Sequence, residues 1–469
     1  MEDVELCYLP AADLAAAIRE KRLSPVEVVD AVLARIDRLN PTVNAYCTVT
    51  AEAARAEAKA AEEAVTGGGP LGLLHGVPVS IKDLVITKGI RTTWGSKIHE
   101  HVVPDEDAPL VERLKAAGAI ILGKTNTPEY GWTAETDNRV FGPTRNPWDP
   151  GRSAGGSSGG AGAAVAAGLG PLAVGTDGGG SIRIPSAFCG VFGFKPSFGR
   201  IPVYPASAVE TLSHAGPMAR TVGDAAVMLQ VMAGPDERDR NSLPADGADY
   251  PGGLAGGVRG LRVAWSPDLG YAPVEPAVRE ACAGAARAFE GIGCRLEEAS
   301  PGFADPEEIW GVLFYGAMAA RLLPYLPEWR ARMDPGLIAI VEKGQGLSAV
   351  QFAEAGFRRA ALWDIVGRFF GTYDLLLTPT VAVPPLPLGQ AGDIEIAGRR
   401  VPRWKAFPFN FPFNLTGQPA ATVPCGWTDT RLPIGLQIVG RRYADATVLK
   451  AAAAFEAARP WKDHRPPLG

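Results

Sequence analysis

Between Gly151 and Arg200 the chain carries 15 glycines in 50 residues, where its overall content of 56 in 469 would place about 6. A backbone so poor in side chains is built for tight turns and for close approach of one segment to another. Two clusters stand out, Gly155-Gly156-Ser157-Ser158-Gly159-Gly160 and Thr176-Asp177-Gly178-Gly179-Gly180-Ser181-Ile182-Arg183. A flexible Gly/Ser linker is the simplest alternative for the first. The flanking AGAAVAAGLG and PLAVGT are apolar, which argues for burial instead.

Composition narrows the partners. With 46 basic and 51 acidic residues the formal net charge is −5, without runs of like charge. Such a chain lacks the basic stripe that neutralises phosphates, so nucleic acid is not expected as a ligand. The start MEDVELCYLP has no apolar signal core. The longest uncharged stretch, Ser153 to Thr176, is too weakly apolar to span a bilayer, and no membrane association is expected. Six cysteines lie far apart with no CxxC pair, as suits reduced thiols in a cytoplasmic protein. The expected state is a monomer or homodimer.

The first 65 residues read as helices. Ser24-Pro25-Val26-Glu27 has an N-cap serine, proline at the first helical position and glutamate where a capping box needs it. A second helix from about Thr50 to Val65 closes on Gly67-Gly68-Gly69. Val77 to Ile81 then reads as a strand, Ala108 to Ala117 as a helix and Ala119 to Leu122 as a strand, an alternation that argues for a layered α/β fold. Gly234 to Gly260 reads as a long connection, followed by a strand at Leu261 to Trp265 and a helix at Pro276 to Ile292. Residues 305–370 are helical, with aromatics assigned mainly to the core. Leu375 to Thr378, Ala421 to Pro424 and Ile434 to Val439 read as buried strands.

Three kinds of chemistry compete for the glycine-rich clusters, and a metal site elsewhere is a fourth. No Lys-Ser or Lys-Thr follows them, against a P-loop. GGSSG and GSSGG both satisfy the GxSxG of a nucleophile elbow, but only His214 and His464 remain downstream as bases, and His464 lies in a Pro-rich tail. His99-Glu100-His101 could open a metal site, which also lacks further histidines; a metal-dependent amidohydrolase is the remote alternative, and no cofactor or metal is expected. Serine chemistry without histidine remains, with a neutral lysine as base. Lys82 ends the apolar run Val79-Ser80-Ile81 and is the candidate. An unperturbed lysine is neutral in only about 1 molecule in 2,500 at pH 7, so burial must lower its pKa by about 3 units, or about 4 kcal/mol.

Taken with the upstream GVPVSIKD, KTNTPE and FGPTRNPWDP, these clusters resemble the amidase signature hydrolases. Lys82 and Ser157 are 75 positions apart and Ser157 and Ser181 are 24 apart, intervals that match that family's lysine and two serines. The resemblance extends to GPMARTVGDAA, NLTGQPAATVPCG and LPIGLQIVGR and is weakest from about 230 to 400. It implies a single domain over 1–469, with a central twisted mixed β-sheet covered by α-helices on both sides. Within it lie N-terminal helices (1–66), the signature core (70–230), a variable region with a helical pocket part (231–405) and C-terminal strands and a helix (406–469). It further implies Ser181 as the acylated nucleophile and Ser157, joined to its neighbour by a cis peptide, as a relay to Lys82. The amides of Gly178, Gly179, Gly180 and Ser181 become the oxyanion hole, and Asp177, Arg183 and Ser158 become structural supports.

The implied activity is hydrolysis of small-molecule amides through an acyl-enzyme. Trp132, Phe314, Tyr315 and Phe409 are the candidates for an apolar acyl or aryl pocket; Phe407, Phe409, Phe411 and Phe413 share one face if that stretch is extended, although Pro408 and Pro412 interrupt it. Hydrophobic amides are therefore expected, with anilides, esters and carbamates (urethanes) as further substrates. The competing reading is the glutaminase component of a tRNA-dependent amidotransferase. Against it, GRIPVYPASAVETLSHAGPMART and FPFNFPFN depart from that component's pattern.

Overall fold

The computed structural model describes residues 3–468. Ser24 caps the helix Pro25–Val43 with the full capping box, its side chain accepting from the Val26 amide while Glu27 reaches back. The next helix, Ala51–Gly67, ends at Gly68 in the left-handed conformation. Among the described residues 13 strands form: β1 Tyr46–Val49, β2 Pro78–Lys82, β3 Ile120–Thr125, β4 Leu172–Asp177, β5 Phe192–Lys195, β6 His214–Ala219, β7 Arg262–Trp265, β8 Arg295–Glu298, β9 Leu375–Pro379, β10 Ile394–Ile396, β11 Arg399–Val401, β12 Ala420–Trp427 and β13 Pro433–Gly440.

Eleven of them make one mixed sheet in the order β1-β3-β2-β4-β6-β5-β12-β13-β9-β7-β8; β10 and β11 pair as a separate hairpin. The strands β3, β2 and β4 run parallel, and Lys82 and Asp177 each end their strand there. These three segments, IILGKT, PVSIK and LAVGTD, are almost entirely buried, as parallel strands covered on both faces should be. In open sheets of this kind the carboxyl ends of parallel strands are where ligands gather.

The first glycine cluster opens the helix Gly159–Ala166, every residue of which is buried. A Cβ on Gly160 would stand 2.3 Å from the Asn126 amide nitrogen and 2.5 Å from the Ala45 carbonyl oxygen, so only glycine lets this helix reach the sheet. The second cluster follows β4 and leads into the helix Arg183–Cys189. Both clusters thus end on helix starts beside the same strand ends.

The variable stretch folds largely into helices: Glu307–Leu322, Pro335–Gln345 and Ala349–Thr372. The run Glu307–Arg332 is long and apolar enough to cross a membrane, but Trp310, Leu313, Phe314, Met318 and Leu322 are buried against the rest of the chain. The aromatics of this region are not all core. Phe352, Phe357 and Trp363 on the last helix are 42%, 77% and 38% exposed, because only one narrow face of that helix meets the protein. The four phenylalanines of 407–413 are all buried, and they do not lie on an extended segment: residues 403–406 form a 3-10 turn and Phe411–Leu415 a short helix.

Candidate active site

Lys82 is wholly buried, and its Nζ lies 2.7 Å from Ser157 Oγ, 2.8 Å from Ser158 Oγ and 2.9 Å from Thr176 Oγ1. Burial pushes its pKa well below the ordinary 10.5; the negative charge of Asp177 opposes this and is outweighed. The three partners are hydroxyls, which can accept from an amine or donate to its lone pair, so a neutral Lys82 loses no hydrogen bond. Ser158 also donates to the Thr176 carbonyl oxygen at 3.1 Å and accepts from the Thr176 amide at 3.2 Å. It ties the first serine cluster to the end of β4. The Gly156–Ser157 peptide is cis.

Asp177 organises the second cluster. Arg183 donates to it from Nε and Nη2, both at 2.9 Å, and Asn414 from Nδ2 at 2.9 Å. The amides of Gly180 and Ile182 donate to the same carboxylate at 2.7 and 3.1 Å. Burial alone would raise this carboxyl group, but the Arg183 guanidinium and these donors hold it well below the usual carboxylate range. Arg183 is completed by Gln437 Oε1 at 2.8 Å and the Asn410 carbonyl oxygen at 3.2 Å. Two fully buried charges are thereby matched and bonded on all sides, the condition for keeping them inside a protein.

One expectation is corrected here. The Gly180 amide is committed to Asp177 and is not free to form an oxyanion hole. Among the described residues the amides of Gly178, Gly179 and Ser181 donate to nothing, so the available donors are three rather than four.

A cavity of about 340 Å³ opens over Ser157, Gly178, Gly179 and Ser181. Trp94, Trp132, Trp310, Phe314 and Trp404 contribute to its walls. Trp310 stacks on Phe314, with ring centres 4.6 Å apart and planes at 17°, and on Phe411 at 4.6 Å and 27°. Its indole nitrogen donates to the Gly178 carbonyl oxygen at 2.8 Å. A Cβ on Gly179 would lie 2.7 Å from the Trp310 ring. The tryptophan therefore seats directly on the glycine loop. Nothing in the sequence sets Trp310 apart from the other aromatics of its region; only its place on an apolar helix of the variable part hints at it.

Of the four expected pocket residues, Trp132 and Phe314 line the cavity, whereas Tyr315 and Phe409 do not. Tyr315 stands edge-on behind Phe314, with Lys343 Nζ 4.4 Å above its ring. Phe409 is a fully buried core side chain; only its carbonyl oxygen has a polar role, accepting from Gln437 Nε2 at 3.0 Å.

Histidine is arranged differently from either rival chemistry. His214 Nδ1 lies 2.9 Å from the Leu212 carbonyl oxygen, and burial drives its pKa well down. His464 stacks on Trp427 at 3.9 Å. His99 shares the cavity wall but sits in an aromatic box of Trp94, Tyr130 and Tyr325 and bonds neither serine. Among the described residues no group of three or more His, Cys, Asp or Glu side chains could hold a metal ion.

The amidase family model matches residues 27–449. The chain belongs to the amidase signature family. It is 42% identical over 472 residues to the acylamidase of Rhodococcus erythropolis, covering 99% of this chain and 98% of that one. It is also 36% identical over 496 residues to a glutamyl-tRNA(Gln) amidotransferase component of Chloroflexus aurantiacus, covering 99% of each. Among solved structures it is similar to a bacterial aryl acylamidase of the amidase signature family, with a TM-score of 0.91 and 33% identity over 98% of this chain and 99% of that one. Like other members of the amidase signature family, this chain is a hydrolase acting on amide C–N bonds.

Proposed function

We propose that this amidase hydrolyses hydrophobic and aryl amides through an acyl-enzyme on Ser181. The observation that carries the reading is the hydroxyl cage around the buried Lys82, whose pKa burial lowers, set beside a half-buried Ser181 that lines an aromatic cavity. Ser181 attacks the amide carbon and passes its proton by way of Ser157 towards the Lys82 lone pair. The contact between Ser157 and Lys82 serves in either direction, so the same relay returns a proton to the departing amine, which leaves poorly unless protonated. The amides of Gly178, Gly179 and Ser181 receive the developing oxyanion, each worth about 10² to 10³ in rate. Water then releases the acid.

The acylamidase relative and the aryl acylamidase neighbour favour anilides, and the tryptophan-rich walls suit an aryl group. Esters and carbamates extend the same chemistry. The amidotransferase reading draws on the 36% identical relative, but a cavity walled by so many indole rings offers little to a polar glutamine side chain. Alanine at Ser181 should abolish turnover of a nitroanilide and labelling by a serine-reactive phosphonate; labelling that persisted on the folded variant would overturn the assignment. Glutamine emerging as the best amide in a panel, or activity only with added partner proteins, would favour the amidotransferase. Excess chelator should leave turnover unchanged.

A further inference from the structure

The helix Glu307–Leu322 places Trp310, Phe314 and Met318 at successive fourth positions and Arg321 one turn further, and all four line the cavity. This spacing puts them on one stripe of the helix. The stripe starts at the Gly178 carbonyl, which Trp310 bonds, and rises about 16 Å to the arginine. Arg321 is exposed and stands where the stripe meets solvent, at the rim of the cavity.

Arg321 is the one Lys, Arg, Asp or Glu side chain among the cavity's lining residues, and among the described residues it joins no ion pair. It stands within electrostatic reach of His99 and Tyr130. Burial, and after it the Arg321 charge, lower the His99 pKa. The Tyr130 hydroxyl lies near Ser96 without completing a hydrogen bond, and it and the Trp132 indole nitrogen are buried with no partner. Unbonded donors inside a protein are costly. Their residues line the cavity beside Arg321, although the two polar atoms themselves are closed off from it.

We infer that the distal end of this cavity is a carboxylate subsite: the enzyme's preferred amides carry an anionic carboxylate at the far end of an apolar chain, held by Arg321. The inference rests on the amidase reading of Ser181 for its substrate and deepens it. The apolar stripe of Trp310, Phe314 and Met318 takes the methylenes or aryl ring between the scissile amide and the charge. A charge-assisted bond to a carboxylate rewards that substrate over a neutral one of equal length.

The test compares the nitroanilides of suberic acid and octanoic acid, equal in carbon number, within a series from glutaric to sebacic half-anilides. A second arm places the carboxylate on the amine side, as N-acetyl-ω-amino acids. In the arm that fits, kcat/KM should favour the carboxylate by about tenfold, mainly through KM. Arg321→Ala should bring that ratio near unity, Arg321→Lys should restore part of it, and Arg321→Glu should turn it toward amine-tailed analogues. Calorimetry on the Ser181→Ala protein gives the same comparison without turnover, with the suberic half-anilide binding about tenfold more tightly than the octanoic anilide. Equal binding and equal kcat/KM in both arms, or a preference that survives Arg321→Ala, would overturn the inference. A binding preference without hydrolysis of any amide would instead sink the amidase reading and leave the subsite standing.

Discussion

Lys82 ends β2, and Lys124 stands opposite Ile81 on β3, the strand beside it. Alternation along the strands sends the two side chains to opposite faces of the sheet. Both are wholly buried, and burial lowers both pKa values. Lys124 meets the Val85 carbonyl oxygen and the hydroxyls of Thr87 and Thr92, with the Asp83 carboxylate in electrostatic reach, and is lowered only to about 8. Lys82 meets hydroxyls alone and is driven well down by burial, against the opposing charge of Asp177, which is itself paired with Arg183. A third buried lysine, Lys195, faces the carbonyl oxygens of Gln418 and Pro196 and is also driven well down, by burial and by the charge of Arg183. Lys82 and Lys124 therefore differ in their surroundings: Lys124 has the Asp83 carboxylate in reach, whereas Lys82 is held by hydroxyls that can take or return a proton.

The widest separation between the two sites should appear in turnover. Lys82→Ala should lower kcat/KM on a nitroanilide by about 10⁴, the upper end of what acid–base catalysis supplies. The acid limb of the wild-type profile should vanish with it, since protonating Lys82 as pH falls through its lowered pKa removes the base. Lys124→Ala should leave turnover per folded molecule within about threefold; a loss above a hundredfold would break the comparison.

Stability should show the reverse. Lys124→Ala strands the buried Asp83 carboxylate and should cost about 3 to 5 kcal/mol in urea unfolding. A smaller effect should be visible without truncation. The folded pKa of Lys124 lies near 8 and the unfolded one at its ordinary 10.5, so between these values the unfolded chain holds the extra proton. Stability from this group rises with pH across that window, by about 3 kcal/mol, and is flat below it. Lys124→Met should flatten that slope relative to wild type; an unchanged slope would assign the titration elsewhere. The smallest effect concerns the cage itself. Thr176→Val removes one hydroxyl from Lys82 and should slow turnover about tenfold, or about 1.4 kcal/mol.

What the sequence disclosed and what it hid divide along the same line as local and distant contacts. Lys82, Ser157 and Ser181 could be singled out as candidates because the family's pattern keeps them in three short motifs at fixed intervals. The capping box at Ser24 and the strands around Lys82 were legible because they depend on neighbours a few residues away. Asn414 and Gln437, which complete the Asp177–Arg183 pair across more than 200 residues, could not be found that way. The same holds for Trp310, which reaches Gly178 across 132 positions. Phe409 and Tyr315 misled for the opposite reason: aromatic character marks a core as readily as a pocket, and here Phe409 went to the core and Tyr315 to the far side of Phe314.

Trp310 also sets a rule for anyone exchanging parts between relatives of this enzyme. Its ring rests where a Gly179 side chain would be, and its nitrogen holds the Gly178 carbonyl, so the helix that lines the cavity and the loop we propose to receive the oxyanion share one joint. A chimera that imports a foreign helix without an indole at this position would be altered in selectivity and in chemical rate at once, and the two traits should be inherited as a unit.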